Sequence, residues 1–459
     1  SACPLCGQEQ TNMHFFWNCP AYKESDLPAI KSSQWMKRSA NRWVEDVPCY
    51  VLKGLMPSDI IAHPTPPKAM SWDDFISKGE KLKDDEISKR VSGIDKSSTA
   101  SIIYTSGTTG NPKGSLYTHR STVLHSLTAG ISFPETMRAG VRILPVVPLF
   151  HVNAWGLAYV APLVGASIIF PGPHLDGKSI FDLMDSENVF SAWGVPTVWL
   201  GLLGEINNRG RIPKGFGEVI IGGSAVPRSM VESFENLDVS VCHAWGMTEM
   251  SPIGTNGRLS PIHARLPMSE KIDLKVKQGR RVYGVELKIV DDSGNRVPHD
   301  GVSNGELYVR GNMIISDYYN NPEATSAAMD SEGWFGTGDV ATLDSNGFLT
   351  ITDRAKDLIK SGGEWISSID VENMAMSHEH VSNCAVIAIP DPKWDERPLL
   401  IVVPKPEQEP DSKSILAHLA KNLAKWQVPD DVVFVESLPL TATGKVSKLT
   451  LRKEYGETN

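Results

Sequence analysis

The chain has 459 residues, which is too long for one hydrophobic core and predicts two or three packed units. With 45 Lys and Arg against 54 Asp and Glu, its net charge of -9 argues against general attraction to nucleic acid or anionic membrane. Any phosphate it binds must be held locally, by backbone amides and a few placed cations.

Hydrophobic residues at 41% and charged residues at 22% are ordinary for a soluble globular chain. The 38 Gly and 31 Pro predict many turns, as in a large α/β enzyme rather than a helix bundle. Three of the six cysteines (Cys3, Cys6, Cys19) crowd the N-terminus, and Cys49, Cys242 and Cys384 are scattered. This is no secreted disulfide framework, so a reducing compartment such as the cytoplasm is expected. The first residues are polar and do not read as a signal peptide. The longest apolar run, Trp155 to Pro171, contains Pro162 and several glycines. It reads as a core helix leading into a strand, not as a membrane span.

In chain order, residues 1–64 form an atypical leader with little periodicity, and the Pro-rich stretch from Ala62 to Lys68 is a seam. From Ser71 short β-branched runs alternate with amphipathic segments, an α/β pattern. Ala100–Tyr104 reads as a buried strand, followed by Arg142–Pro148, Ala166–Phe170, Glu218–Gly222 and Val239–Cys242. After about residue 275 the texture becomes antiparallel and hairpin-rich, as in a small barrel, with Val285–Gly294 as an alternating strand ending in a turn and Gly305–Gly311 and Gly347–Thr352 as further strands. The last hundred residues return to α+β, with strands at Val381–Ile389 and Arg397–Pro404 and a helix at Ile415–Leu423.

The strongest chemical signal is Tyr104-Thr-Ser-Gly-Thr-Thr-Gly-Asn-Pro-Lys-Gly114. Its glycines, Gly107 among them, let the backbone fold tightly with amides turned inward. Thr105, Ser106, Thr108 and Thr109 add hydroxyl donors, and Lys113 adds a mobile charge. These parts suit the β- and γ-phosphates of ATP, although the spacing is not that of a Walker loop.

With this loop, several ordered motifs give the chain its resemblance. It resembles the acyl-adenylate-forming superfamily from about Ser71 to the C-terminus, most of all the long- and medium-chain fatty acyl-CoA synthetases. The resemblance implies ATP, Mg²⁺ and coenzyme A as cofactors and a carboxylic acid as substrate, and it admits a homodimer. It further implies a large N-terminal domain of parallel α/β sheets plus a small β-barrel at 65–355. A small mobile α+β domain follows at 356–459.

In Pro148-Leu-Phe-His-Val-Asn-Ala-Trp155 the resemblance places His151 near the acyl carbonyl. It places Gly222, Gly223 and Ser224 of Gly222-Gly-Ser-Ala-Val-Pro227 along the adenine and acyl pockets. In His243-Ala-Trp-Gly-Met-Thr-Glu249, Trp245 offers a face for adenine beside Gly246 and Met247. Thr248 can donate to the α-phosphate, and Glu249 is a hard oxygen ligand for Mg²⁺. Asp339 of Gly336-Thr-Gly-Asp339 matches the ribose-binding aspartate, Arg354 helps hold ribose or phosphate, and Lys356 matches the hinge. Lys360-Ser-Gly-Gly-Glu-Trp365, with Gly362, Gly363 and Glu364, matches the segment that lines the pantetheine path in the thiol step. Trp199 of Val195-Pro-Thr-Val-Trp199 resembles the gate of a fatty-acid tunnel, with an ordinary core tryptophan as the other reading. Lys445, in Leu438-Pro-Leu-Thr-Ala-Thr-Gly-Lys445, matches the adenylation lysine, whose charge would neutralise the transition state.

The expected function is conversion of a fatty acid to acyl-AMP and then to acyl-CoA. Alternatives are the same chemistry on a short sulfur-bearing or aryl acid, or an inactive truncated ligase remnant fused to a zinc-binding nucleic-acid module. The sequence ahead of the phosphate loop is shorter than the family's, so a truncated N-terminal subdomain is expected. In its place Cys3, Cys6, His14 and Cys19 offer four ligands of the type that holds tetrahedral zinc. They resemble the zinc-binding segment of retrotransposon-type reverse transcriptases.

Overall fold

The computed structural model describes Ser77 and residues 84–105, 112–405, 411–441 and 443–456. Contacts group the chain into two units. The first is Ser1–Asp95 with Gly172–His174, in which the helix α1 (Asp84–Ser92) is described.

The second unit, Lys96–Pro171 with Leu175–Asn459, opens on a hairpin of β1 (Thr99–Thr105) and β2 (Lys113–Thr118). The strand expected at Ala100–Tyr104 forms but is not buried. Among the described residues it pairs only with β2, and Tyr104 is 60% exposed. Thr118 ends the hairpin and starts α2 (His119–Ser132) with a capping box: its hydroxyl accepts from Ser121 N–H at 3.0 Å, and Ser121 Oγ accepts from Thr118 N–H at 3.1 Å.

Next come β3 (Arg142–Pro145), α3 (Val152–Trp155), α4 (Leu157–Val164), β4 (Ser167–Ile168) and α5 (Gly177–Ser186). They are followed by β5 (Ser191–Gly194), α6 (Pro196–Arg209), β6 (Glu218–Gly222), α7 (Arg228–Glu235) and β7 (Ser240–Gly246). The strands run parallel in the order β4-β3-β5-β6-β7. Near-continuous apolar runs in these strands are explained by burial on both faces. Ile143, Trp193, Ile220 and Cys242 face one core with Phe133, Leu157 and Val160. Their neighbours Leu144, Ala192, Val219, Ile221 and Val241 face the other with Phe181, Trp199, Leu202 and Phe234.

The chain continues through β8 (Ile253–Asn256), α8 (Met268–Lys275), β9 (Gly279–Arg281), β10 (Glu286–Val290), β11 (Gly305–Arg310), α9 (Pro322–Ala328), β12 (Phe335–Leu343) and β13 (Phe348–Arg354). These strands are antiparallel, as the alternating pattern predicted, but they form no separate small barrel among the described residues. β8 pairs with β7 and β9 with β13, so one open sheet of eleven strands runs β10-β11-β12-β13-β9-β8-β7-β6-β5-β3-β4. The short β8, paired on both sides, provides the ladder that a closed barrel would have kept to itself.

A second sheet follows: β14 (Ile359–Ser361), β15 (Glu364–Ile366), α10 (Ser368–Met376), β16 (Val381–Asp391), β17 (Asp395–Pro404), α11 (Ser412–Asn422), β18 (Asp431–Phe434) and α12 (Lys448–Tyr455). Alternate residues of β16 and β17 again face two cores. Val386 and Leu400 pack with Val371 and Ile415, and Ile387 and Ile401 pack with Leu438 and Leu451.

Arg397, buried on β17, ties this sheet to the segment beyond α11. It grips both Asp430 oxygens, at 2.7 and 2.9 Å, and donates to Trp426 O, Val428 O and Ser361 Oγ. Replacing it strands two carbonyls and a hydroxyl. Arg397→Met should therefore cost roughly 2–3 kcal/mol, read as a lower urea midpoint at unchanged slope.

Candidate active site

One cavity of about 620 Å³ opens at the C-terminal ends of the parallel strands, where ligands bind in open α/β sheets. Its polar part is built from elements distant in sequence. Thr105 and Lys113 are paired at the loop end of the first hairpin, Thr248 and Glu249 come from a short turn after β7, Arg354 from the end of β13, and Lys445 from the loop before α12. Its apolar part holds Ala129 and Phe133 of α2, Val152 and Trp155 of α3, Trp193 of β5 and Ile220 of β6.

Asp339 lies just behind the wall. Its side chain is 1% exposed, yet both oxygens are engaged: Arg354 Nε at 2.7 Å on Oδ1 and Trp245 Nε1–H at 3.1 Å on Oδ2. Burial pushes its carboxyl above the usual range, while Arg354, the Trp245 N–H and Lys445 pull it back down. Trp245 is thus more than a surface for a base, because its indole N–H fixes the carboxylate.

Glu249 accepts from Tyr318 Oη at 2.7 Å, and the Lys113 ammonium lies 5.1 Å from the centre of the Tyr318 ring. Burial, then the Glu249 charge, pushes the Tyr318 phenol up, so it stays a donor. Tyr117 Oη donates to Thr248 O at 2.6 Å and holds the turn from below. The Glu249 carboxylate, with the Thr248 hydroxyl beside it in sequence, is the kind of hard oxygen donor that would hold a Mg²⁺. Among the described residues no cluster of three or more His, Cys, Asp or Glu could cage a metal.

Lys445 enters over Gly223, where an added Cβ would fall 2.9 Å from the lysine Cε. Its loop is a tight hairpin, with Thr441 N–H donating to Lys445 O at 2.7 Å, and Thr197 Oγ1 at the start of α6 donates to Gly444 O at 2.8 Å. Burial, then Arg354, brings the ammonium down to about 8, against the pull of Asp339. Burial and Lys445 bring His151 down to about 4, so at neutral pH it is an uncharged imidazole.

His151 begins an unusual piece of backbone. Val152, Asn153, Ala154 and Trp155 all have φ between 51° and 57°, and Gly156 follows at 81°. A left-handed turn costs non-glycine residues roughly 1–2 kcal/mol each. Surrounding contacts impose it: Gly156 packs on buried His125, and a Cβ there would meet His125 Cε1 at 2.4 Å.

The residues singled out from sequence divide into four groups. Thr105, Lys113, His151, Gly222, Gly223, Trp245, Gly246, Met247, Thr248, Glu249, Arg354 and Lys445 line the one cavity, with Asp339 bonded to two of them. Ser224 sits on the exposed turn beyond Gly223, and Lys356 is exposed after β13. Lys360, Gly362, Gly363, Glu364 and Trp365 form the hairpin β14–β15, with an exposed tip outside the cavity lining. Ser106, Gly107, Thr108, Thr109 and the candidate zinc ligands Cys3, Cys6, His14 and Cys19 lie outside the described residues.

Of the two readings of Trp199, the structure fits the core tryptophan and not the gate, because it does not line the cavity. It is fully buried on α6 against the opposite face of the sheet, with its ring under Gly194, while neighbouring Trp193 faces the cavity. The sequence reading missed His125, Phe133, Trp193 and Tyr318 as site residues. Tyr318 is 69 residues from Glu249 and carries no local signal, whereas strand alternation through Ala192–Trp193 could have placed Trp193 on the cavity side.

The family described as AMP-binding enzyme matches residues 56–319, and its C-terminal domain, described as AMP-binding enzyme C-terminal domain, matches 370–445. The chain belongs to the AMP-binding enzymes. The match begins ahead of Ser71, so the likeness reaches further toward the N-terminus than the motifs suggested. This AMP-binding enzyme is 50% identical over 394 residues to a medium-chain-fatty-acid–CoA ligase of Ectopseudomonas oleovorans, covering 85% of this chain and 70% of that one. It is 47% identical over 385 residues to a 3-methylmercaptopropionyl-CoA ligase of Ruegeria pomeroyi, covering 84% and 70%. To a long-chain-fatty-acid–CoA ligase of Thermus thermophilus it is 46% identical over 355 residues, covering 77% and 65%. Among solved structures it is similar to an anthranilate CoA ligase in complex with anthranoyl-AMP (TM-score 0.70, 27% identity, 78% of this chain and 68% of that one). ATP-bound MatB from Rhodopseudomonas palustris is also similar (TM-score 0.68, 26% identity, 79% and 69%). No helix among the described residues is long and apolar enough to cross a membrane.

The low Lys445 value has a kinetic consequence. Lys445 is charged below pH about 8 and neutral above it. For ATP and acid, kcat/KM should therefore fall as pH rises through about 8, since that ratio reports the free enzyme. Lys445→Arg should move this limb out of range even at a reduced rate. A wild-type limb near the ordinary lysine value of 10.5 would contradict the assignment.

Proposed function

We propose that this AMP-binding enzyme activates a medium- or long-chain fatty acid as its acyl-adenylate and passes the acyl group to coenzyme A. The observation that carries this reading is the meeting of Lys113, Trp245, Thr248, Glu249, Arg354 and Lys445 in one cavity, with Asp339 bonded to two of them. The names of the relatives from Ectopseudomonas and Thermus support the acid class.

A carboxylate is a poor acyl donor because its leaving group would be oxide. In the first step a carboxylate oxygen attacks the α-phosphorus of ATP and pyrophosphate leaves. Such chemistry depends on positioning and charge neutralisation. Lys445 bridges the acid and the α-phosphate, and Thr248 donates to the same phosphate. Thr105 and Lys113 hold the departing phosphates. Arg354 and Asp339 orient the ribose and the Trp245 face supports adenine. A Mg²⁺ held by Glu249 would supply charge to the polyphosphate. Neutral His151 hydrogen-bonds near the acyl carbonyl without competing with Lys445 for the carboxylate. In the second step the thiol sulfur attacks the acyl carbonyl and AMP leaves.

The two steps need different walls. Lys445 is in the cavity here and the Lys360–Trp365 hairpin is outside its lining, an arrangement suited to the first step. Rotation at Lys356 would withdraw Lys445 and bring the hairpin in for the second, as a mobile domain allows. Lys445→Ala should then lower acyl-AMP formation by roughly 10²–10³-fold and leave thiolysis of supplied acyl-AMP near the wild-type rate. Equal loss of both half-reactions would count against the scheme.

A second reading keeps the chemistry and changes the acid. The Ruegeria relative, nearly as similar, is named for a sulfur-bearing acid. Acid-, ATP- and coenzyme A-dependent AMP formation across octanoic, palmitic, 3-methylmercaptopropionic and benzoic acids decides between them.

A further inference from the structure

We propose that Trp155, presented by the left-handed turn Val152–Gly156, is the wall that sets how long an acyl chain the cavity admits. The assignment rests on the ligase reading and deepens it. Four observations carry it.

Trp155 is half-buried and lines the cavity directly, whereas Trp199, the gate that the sequence suggested, is walled off behind the sheet. Next, Trp155 is the near member of a row of aromatic rings. Its centroid is 6.5 Å from that of Trp193, and Trp193 is 4.9 Å from Phe133. With Ala129, Val152 and Ile220 these rings contribute apolar lining to the cavity.

The indole edge is also seated on backbone. A Cβ on Gly222 would come 3.2 Å from Trp155 Cη2 and 2.7 Å from Ala244 O, so the side-chain-free position lets the ring approach. Lastly, His151 and Trp155 are four residues apart on one turn. His151 opens that turn in extended backbone, and both side chains line the cavity. With His151 beside the acyl carbonyl, the indole stands on the same acyl path.

The turn holds the indole there. Ala154 N–H donates to His151 O at 3.1 Å, Gly156 N–H donates to Val152 O at 3.0 Å, and Gly156 is pressed on the His125 ring. The strained backbone thus has a use: it presents a large flat side chain to the cavity beside His151. The substrate class that follows is a compact acid of medium length, with long chains stopped at the indole.

The test uses the full chain and three variants side by side: Trp155→Ala, Trp155→Leu and Trp155→Phe. Pyrophosphate release is followed with butyric, octanoic, dodecanoic and palmitic acids, together with KM for ATP. Truncation should raise the ratio of kcat/KM for palmitic over octanoic acid by roughly tenfold or more, the scale on which apolar pockets discriminate methylenes. Trp155→Leu should move less, Trp155→Phe should stay near wild type, and KM for ATP should hold. Trp155→Leu carries the same reading should Trp155→Ala lose its ATP-dependent rise in Tm. An equal fall with every acid, or a change confined to KM for ATP, would overturn the assignment and leave the ligase reading intact. No release by the wild-type chain with any acid would overturn both.

Discussion

The carboxylate of Asp339 is the constraint on which the site depends. It belongs to β12 in the antiparallel half of the long sheet, but its partners come from elsewhere. Trp245 ends β7 in the parallel half, and Arg354 ends β13 just before the small second sheet begins. An ionised group buried this deeply must be paired and hydrogen-bonded, so satisfying it draws these three strands into fixed register around one point. Lys445, from the far end of the chain, adds its charge to the same field. What reads in sequence as four separate motifs is one electrostatic unit in space.

Among the described residues the eleven-stranded sheet is open. A separate barrel would have taken the ladder of β8 for itself. Here β8 and β9 connect β7 to β13, and the two ends of the Asp339 pairing sit on one continuous surface. The cavity then forms where the parallel strands stop, with charged groups on one side and aromatic rings on the other. On the proposed reading the charged groups serve the nucleotide and the apolar ones the acyl chain.

Much of this was legible in the residues. The parallel strands were, because burial on both faces demands unbroken apolar runs such as Glu218–Gly222. The polar lining was as well, because Thr105, Lys113, Trp245–Glu249 and Lys445 belong to ordered motifs, with Asp339 in another behind the wall. Depth was not legible. Val195–Trp199 gives no sign of which face of the sheet its indole meets, and the structure puts Trp199 behind the sheet while Trp193 and Trp155 face the cavity. Nor does His-Val-Asn-Ala-Trp announce a left-handed turn: the conformation is imposed by packing on His125 and Gly222, far away in sequence. Tyr318 was invisible for the same reason, since its role exists only through Glu249.

The most direct measurement is a crystal structure of the chain with a non-hydrolysable acyl-sulfamoyl adenosine. The account predicts the ribose hydroxyls within hydrogen-bond reach of Asp339 and Arg354, adenine against Trp245, Lys445 Nζ on the sulfamoyl group, and the acyl chain running past His151 toward Trp155. An analogue bound away from that cavity, or one whose ribose and sulfamoyl groups touch neither Asp339 nor Lys445, would contradict it.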